Sequence, residues 1–73
     1  MHYTLKQLQV FLAVANHENV SLAAAELAMS QSAASTALKE LEQRFDTRLF
    51  DRVGKRLQLN EQGQLLRPRV VAL

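Results

Sequence analysis

Four alanines fall within the seven residues Leu22 to Ala28, and a new helix start signal follows almost at once at Ser30. Alanine is the best helix former, and its small side chain lets another helix cross closely. The segment also carries a start of its own. Ser21 is a good N-cap, and Val20 ahead of it can act as a hydrophobic staple. The pattern stops at Met29-Ser30, and Ser30 can cap the next helix, Gln31 to about Phe45. Two helices joined by about three residues, with alanines packed at their crossing, make a helix-turn-helix.

The flanking segments supply what such a unit needs to fold. Thr4-Leu5-Lys6-Gln7 reads as a capping box, followed by Leu5, Leu8, Phe11, Leu12 and Ala15 at helical spacing. The polar stretch Asn16 to Asn19 should end that helix. Beyond Phe45, Leu57 and Leu59 alternate with Arg56 and Gln58, the period of a half-buried strand. Gly54 supplies a permissive turn between this strand and Leu49-Phe50-Asp51-Arg52. The result is a short hairpin with a basic tip, which must pack on the helices because two strands alone are not stable. Asn60 caps a fourth helix, whose acidic Glu61 suits the helix dipole. Pro68 within it removes a backbone donor and predicts a kink. That helix stops on Leu73 without a C-cap, which reads as a cut through a longer helix.

Composition closes off other classes. At 73 residues the chain allows one small domain, burying only about 60% of its unfolded surface. Hydrophobic residues make up 48%, which argues against wholesale disorder, and the two glycines and one proline disfavour an all-β fold. There is no cysteine, hence no disulfide and no thiolate zinc site. His2 and His17 lack partners at ligand spacing, so no metal site is expected, nor any cofactor. Apolar runs fall far short of the roughly 20 residues that span a bilayer, and no signal peptide opens the chain. A cytoplasmic protein without membrane contact is the expectation. No nucleophile elbow, phosphate loop or paired acid is visible, so no catalytic residue and no enzyme is expected.

Charge is unevenly spread. Residues 1–43 hold Lys6 and Lys39 against Glu18, Glu26, Glu40 and Glu42, a net of −2. Residues 44–73 hold Arg44, Arg48, Arg52, Lys55, Arg56, Arg67 and Arg69 against Asp46, Asp51 and Glu61, a net of +4. The basic half can attract a polyanion, although a solvated charged face would read the same way. The third helix is more telling. Its apolar positions Ala34, Leu38, Leu41 and Phe45 face a core, while its opposite face opens on small, uncharged Ser32, Ser35 and Thr36. A major groove about 12 Å wide admits such a helix by its N-terminal end. Gln31 could read adenine, and Ser32, Ser35 and Thr36 could reach base edges or phosphates. The basic hairpin, residues 50–58, would be a wing lying on the DNA backbone or in the minor groove.

Several pieces of this sequence together resemble the LysR-type transcriptional regulators. They are Leu5-Lys6-Gln7-Leu8 with Phe11, Ser21 with Ala23-Ala24, Ser30-Gln31-Ser32-Ala33, Leu38 to Glu42, Leu49-Phe50-Asp51-Arg52, and Leu59-Asn60-Glu61-Gln62-Gly63. The match covers nearly the whole chain. It implies a mainly α winged helix-turn-helix over residues 1–59, with three helices and a short β-hairpin wing. Residues 60–73 would begin a dimerising linker helix, with an effector-sensing domain beyond it. It implies binding to double-stranded DNA at interrupted palindromes. By position, Gln31, Ser32, Ala33, Ser35, Thr36 and Lys39 fall in the DNA-reading helix, and Arg52, Lys55 and Arg56 in the wing. The family often has Arg where Thr36 stands and Gln where Ala37 stands, which weakens guanine readout there. It usually has Gly where this chain has Asp46, a residue that tolerates the left-handed conformation at some cost.

Alternative roles follow from the same residues. Arg44 and Arg48 are expected to be exposed or paired with carboxylates rather than bound to DNA. Arg52 could pair with Asp51 or Glu42, and Lys39 with its helix neighbours. Met29 is expected in the core. Leu65, Leu66, Val70, Val71 and Leu73 offer more apolar surface than a terminal helix needs, which suggests a homodimer or higher oligomer through the fourth helix. The competing function is a helical protein-protein interaction module that does not touch DNA.

Overall fold

Each helix of this protein opens on a side-chain oxygen that accepts a backbone N–H from its own first turn. In the computed structural model, which describes residues 3–73, the order is α1 (Leu5–His17), α2 (Val20–Glu26), α3 (Gln31–Phe45), β1 (Phe50–Val53), β2 (Arg56–Leu59) and α4 (Glu61–Val71). Thr4 and Gln7 form the capping box, with the Gln7 N–H donating to Thr4 Oγ1 at 3.1 Å and the Thr4 N–H to Gln7 Oε1 at 3.0 Å. Ser30 Oγ accepts from the Ala33 N–H, and Asn60 Oδ1 from the Gly63 N–H.

The start of α2 differs from expectation. Asn19, not Ser21, is the N-cap, its Oδ1 accepting the Leu22 N–H at 2.9 Å. Asn caps at least as well as Ser. The helix therefore begins earlier, Val20 becomes its first residue, and the Ser21 hydroxyl is released for another contact.

Among the described residues, three carry the chain around corners in the left-handed conformation without being glycine: Glu18 after α1, Ala28 after α2 and Asp46 after α3, with φ of 55°, 56° and 52°. At Asp46 this bears out the expectation drawn from its position. The helices α1, α2 and α3 pack on one another. Of the alanine-rich segment, Ala23 and Ala24 are buried, as is Ala34 of α3, while Ala25 and Ala28 are exposed. Val10, Phe11, Val14 and Leu41 fill the centre, and Met29 packs partly buried against it. Gln7 is the one buried polar residue among those described, and its Nε2 donates to Glu40 Oε1 at 3.3 Å.

The hairpin pairs Phe50 with Leu59, Asp51 with Gln58, Arg52 with Leu57 and Val53 with Arg56. Gly54 takes φ +63° at the first of the two turn residues, where a tight hairpin needs a left-handed backbone. Phe50 meets Phe11 edge to face at 5.7 Å, and the Leu57 N–H donates to the Glu18 carbonyl at 3.0 Å. The hairpin is thus seated on α1, as its own marginal stability requires. Helix α4 runs through Pro68 to Val71. Its Gly63 lies against the turn before the hairpin: a Cβ there would stand 2.2 Å from the Leu49 carbonyl oxygen. No helix among the described residues is long and apolar enough to cross a membrane.

Candidate nucleic-acid interface

Helix α3 divides cleanly into two faces. Ala34, Ala37, Leu38 and Leu41 are buried, while Gln31, Ser32, Ala33, Thr36, Lys39 and Glu40 are exposed and Ser35 is half-buried. The burial recurs every three or four residues, as an amphipathic helix on a core must. The exposed N-terminal half carries only short, uncharged side chains beyond Gln31, so a second surface can approach its backbone. The first-turn N–H groups have no partner inside the helix, and the dipole places positive potential there.

Gln31 does not stand alone. Ser21 Oγ, in the first turn of α2, donates to Gln31 Oε1 at 2.8 Å. Sequence reasoning assigned the Ser21 hydroxyl to a cap and so missed this contact; no local pattern announces it.

The hairpin places its three cations differently from one another. Arg52 pairs with Leu57 and Val53 with Arg56, so by strand alternation Arg52 and Arg56 lie on opposite faces of the ribbon. Lys55 is the second turn residue. Arg56 Nη1 approaches Glu18 Oε1 at 3.4 Å, with its side chain 72% exposed. Such an exposed pair contributes little to stability. It does set one carboxylate beside one of the wing cations, which sequence reasoning had treated as equivalent.

The Arg56–Glu18 contact is the one Lys/Arg–carboxylate ion pair among the described residues; His17 Nε2 and Glu26 Oε1 lie within hydrogen-bond distance, 2.7 Å. Arg44 and Arg48 are exposed, and among the described residues neither they nor Lys39 form an ion pair. Arg52 meets neither Asp51 nor Glu42. The Glu42 carboxylate is engaged instead by the Leu49 backbone N–H at 2.7 Å.

The apolar residues of α4 also separate. Val70 is 7% exposed and Leu66 half-buried, both packed against the chain's own core. Val70 therefore does not belong to a free face, contrary to its place in the apolar set read from the sequence. Leu65, Val71 and Leu73 are 62%, 65% and 80% exposed. Arg67 Nη2 donates to Asn16 Oδ1, tying α4 to the end of α1.

The family model of bacterial regulatory helix-turn-helix proteins, lysR family, matches residues 5–64. Over all 73 residues the chain is 53% identical to the HTH-type transcriptional regulator YeiE of Escherichia coli K12, of which it covers 25%. Over 64 residues, 88% of this chain, it is 45% identical to the RuBisCO operon transcriptional regulator of Allochromatium vinosum, of which it covers 21%. Vibrio fischeri DarR in complex with DNA superposes with a TM-score of 0.93 at 32% identity, over 99% of this chain and 25% of that one. The CbnR_DBD–DNA complex superposes with a TM-score of 0.89 at 26% identity, over 94% and 79%. The chain thus spans about a quarter or less of these curated relatives.

Proposed function

The chain belongs to the lysR family of bacterial regulatory helix-turn-helix proteins, and from that premise we propose that residues 1–59 bind double-stranded DNA sequence-specifically as the winged helix-turn-helix of a transcriptional regulator. The family is one of regulators, not of enzymes. The observation that carries the reading is the exposed face of α3, with Gln31, Ser32, Ala33, Ser35 and Thr36 leading and Lys39 behind. A 15-residue helix is about 22 Å long, and its slim leading end fits a major groove about 12 Å wide. DarR and CbnR_DBD, whose folds superpose on this one, have been solved with DNA.

In this reading Arg52 and Lys55 meet phosphates, and Arg56 does so less strongly because Glu18 partly offsets its charge. Residues 60–73 begin a linker helix through which two copies associate, so that two copies of α3 read an interrupted palindrome. Leu65, Val71 and Leu73 supply the exposed apolar surface for it, with Leu66 at its margin. The working location is the cytoplasm, where such a regulator meets its DNA.

Binding to duplexes from a random pool tests this. A set of related sequences should be enriched, and affinity should fall steeply with salt. Retention that ignores salt and sequence would favour a protein-binding helical module instead.

A further inference from the structure

We propose that Ser21 is a specificity-determining residue that acts through Gln31: its hydroxyl holds the Gln31 amide with the oxygen turned inward and the N–H donors outward. The inference rests on the reading of α3 as the base-reading helix.

Ser21 Oγ donates to Gln31 Oε1 at 2.8 Å, joining the first turn of α2 to the first turn of α3. Both residues are exposed, so the bond is not forced by burial. Each side chain is attached to a helix whose start is independently capped, Asn19 for α2 and Ser30 for α3. The two backbones are therefore set, and the hydroxyl selects among the orientations open to a long amide side chain. No other hydrogen bond to the Gln31 side chain exists among the described residues.

The chemistry of the amide gives the consequence. Gln reads adenine with both ends, its oxygen accepting from N6–H and its nitrogen donating to N7. Ser21 occupies part of the accepting capacity of Oε1 and directs it toward α2. The Nε2 hydrogens remain as two outward donors. The matching base edges are those that present acceptors, guanine through O6 and N7 or thymine through O4. Ser21 thus biases Gln31 away from adenine, the base that its side chain alone would suggest.

The test uses duplexes selected by the wild-type chain, substituted at the base pair where Gln31→Ala flattens discrimination. Wild type should favour guanine or thymine there. Ser21→Ala should shift the guanine-or-thymine over adenine ratio toward adenine by about 2- to 10-fold, the range of one net hydrogen bond. Ser21→Thr, which keeps the hydroxyl, should restore the wild-type ratio. In the Gln31→Ala background neither change should alter base preference. An equal loss on all four bases would make Ser21 a phosphate contact and overturn the proposal, as would a shift that persists without Gln31. Absence of any salt-dependent duplex binding by wild type would overturn the reading of α3 itself and this inference with it.

Discussion

The Glu42 carboxylate accepts the backbone N–H of Leu49 at 2.7 Å, bridging the turn between α3 and the hairpin. The carbonyl of the same Leu49 accepts the Asn60 N–H at 3.0 Å, and its side chain is 1% exposed. Asn60 Nδ2 also donates to the Arg48 carbonyl at 2.8 Å while its Oδ1 caps α4. The end of α3, the root of the wing and the start of α4 are therefore fastened at one residue.

Glu42→Ala should destabilise the fold by about 1–3 kcal/mol, because it leaves the Leu49 N–H without a partner in a partly buried turn. For a domain of this size each kcal/mol lowers Tm by roughly 4–8 °C. Glu42→Gln keeps an acceptor and should lose less. Thermal unfolding of the two variants, followed by circular dichroism, checks the order.

Gly63→Ala should be destabilising although alanine is favoured in helices by about 1 kcal/mol. The added methyl would meet backbone, the Leu49 oxygen at 2.2 Å, and the Leu59 side chain at 2.7 Å. Relief requires α4 to move away from the turn, and overpacking of this kind costs about 1–3 kcal/mol. A denaturant midpoint at or above that of wild type would contradict the close approach.

Ala28→Gly should do the opposite. Ala28 is exposed and holds φ 56° in the turn between α2 and α3, so its methyl packs little and strains the backbone. A left-handed residue with a Cβ costs roughly 1–2 kcal/mol, partly offset by the extra entropy that glycine loses on folding. A net gain of about 0.5–1 kcal/mol is expected in urea titration. Glu18→Gly relieves the same strain but also removes the Arg56 partner, so the two variants should diverge in DNA binding.

Among the wing cations, Lys55→Ala and Arg52→Ala should each reduce the slope of log Kobs against log salt by about 0.9. Arg56→Ala should reduce it less, because Glu18 already lies beside that charge. Glu18→Gln should raise affinity at low salt. Equal slopes for wild type and all three alanine variants would make the wing a solvated turn.

In α4, Val70→Ala should lower stability by about 1–3 kcal/mol through lost burial and leave self-association unchanged. Leu65→Lys should leave Tm nearly unchanged and weaken a concentration-dependent dimer. Sedimentation over a wide concentration range, paired with melts of the same samples, separates the two effects.

The sequence by itself determined where most elements begin and which face of each is apolar. The caps at Thr4, Ser30 and Asn60 reach a backbone N–H three residues on, so a short window contains both partners. The period of Ala34, Leu38, Leu41 and Phe45 marks the inner face of α3 for the same reason, and the exposed reading face is its complement. At α2 that local logic pointed to Ser21, and the folded chain placed the cap two residues earlier, at Asn19. Tertiary structure also decided which partners meet across long separations. Gln7 and Glu40 are 33 positions apart, Glu18 and Arg56 are 38, and Asn16 and Arg67 are 51. Periodicity says that residues share a face but not what that face meets, which is why Val70 is buried while Leu65, from the same apolar set, is exposed. The inequivalence of the wing cations and the Ser21–Gln31 bond have the same origin: each depends on how two separately formed elements dock, and docking is set by the shape of the shared core.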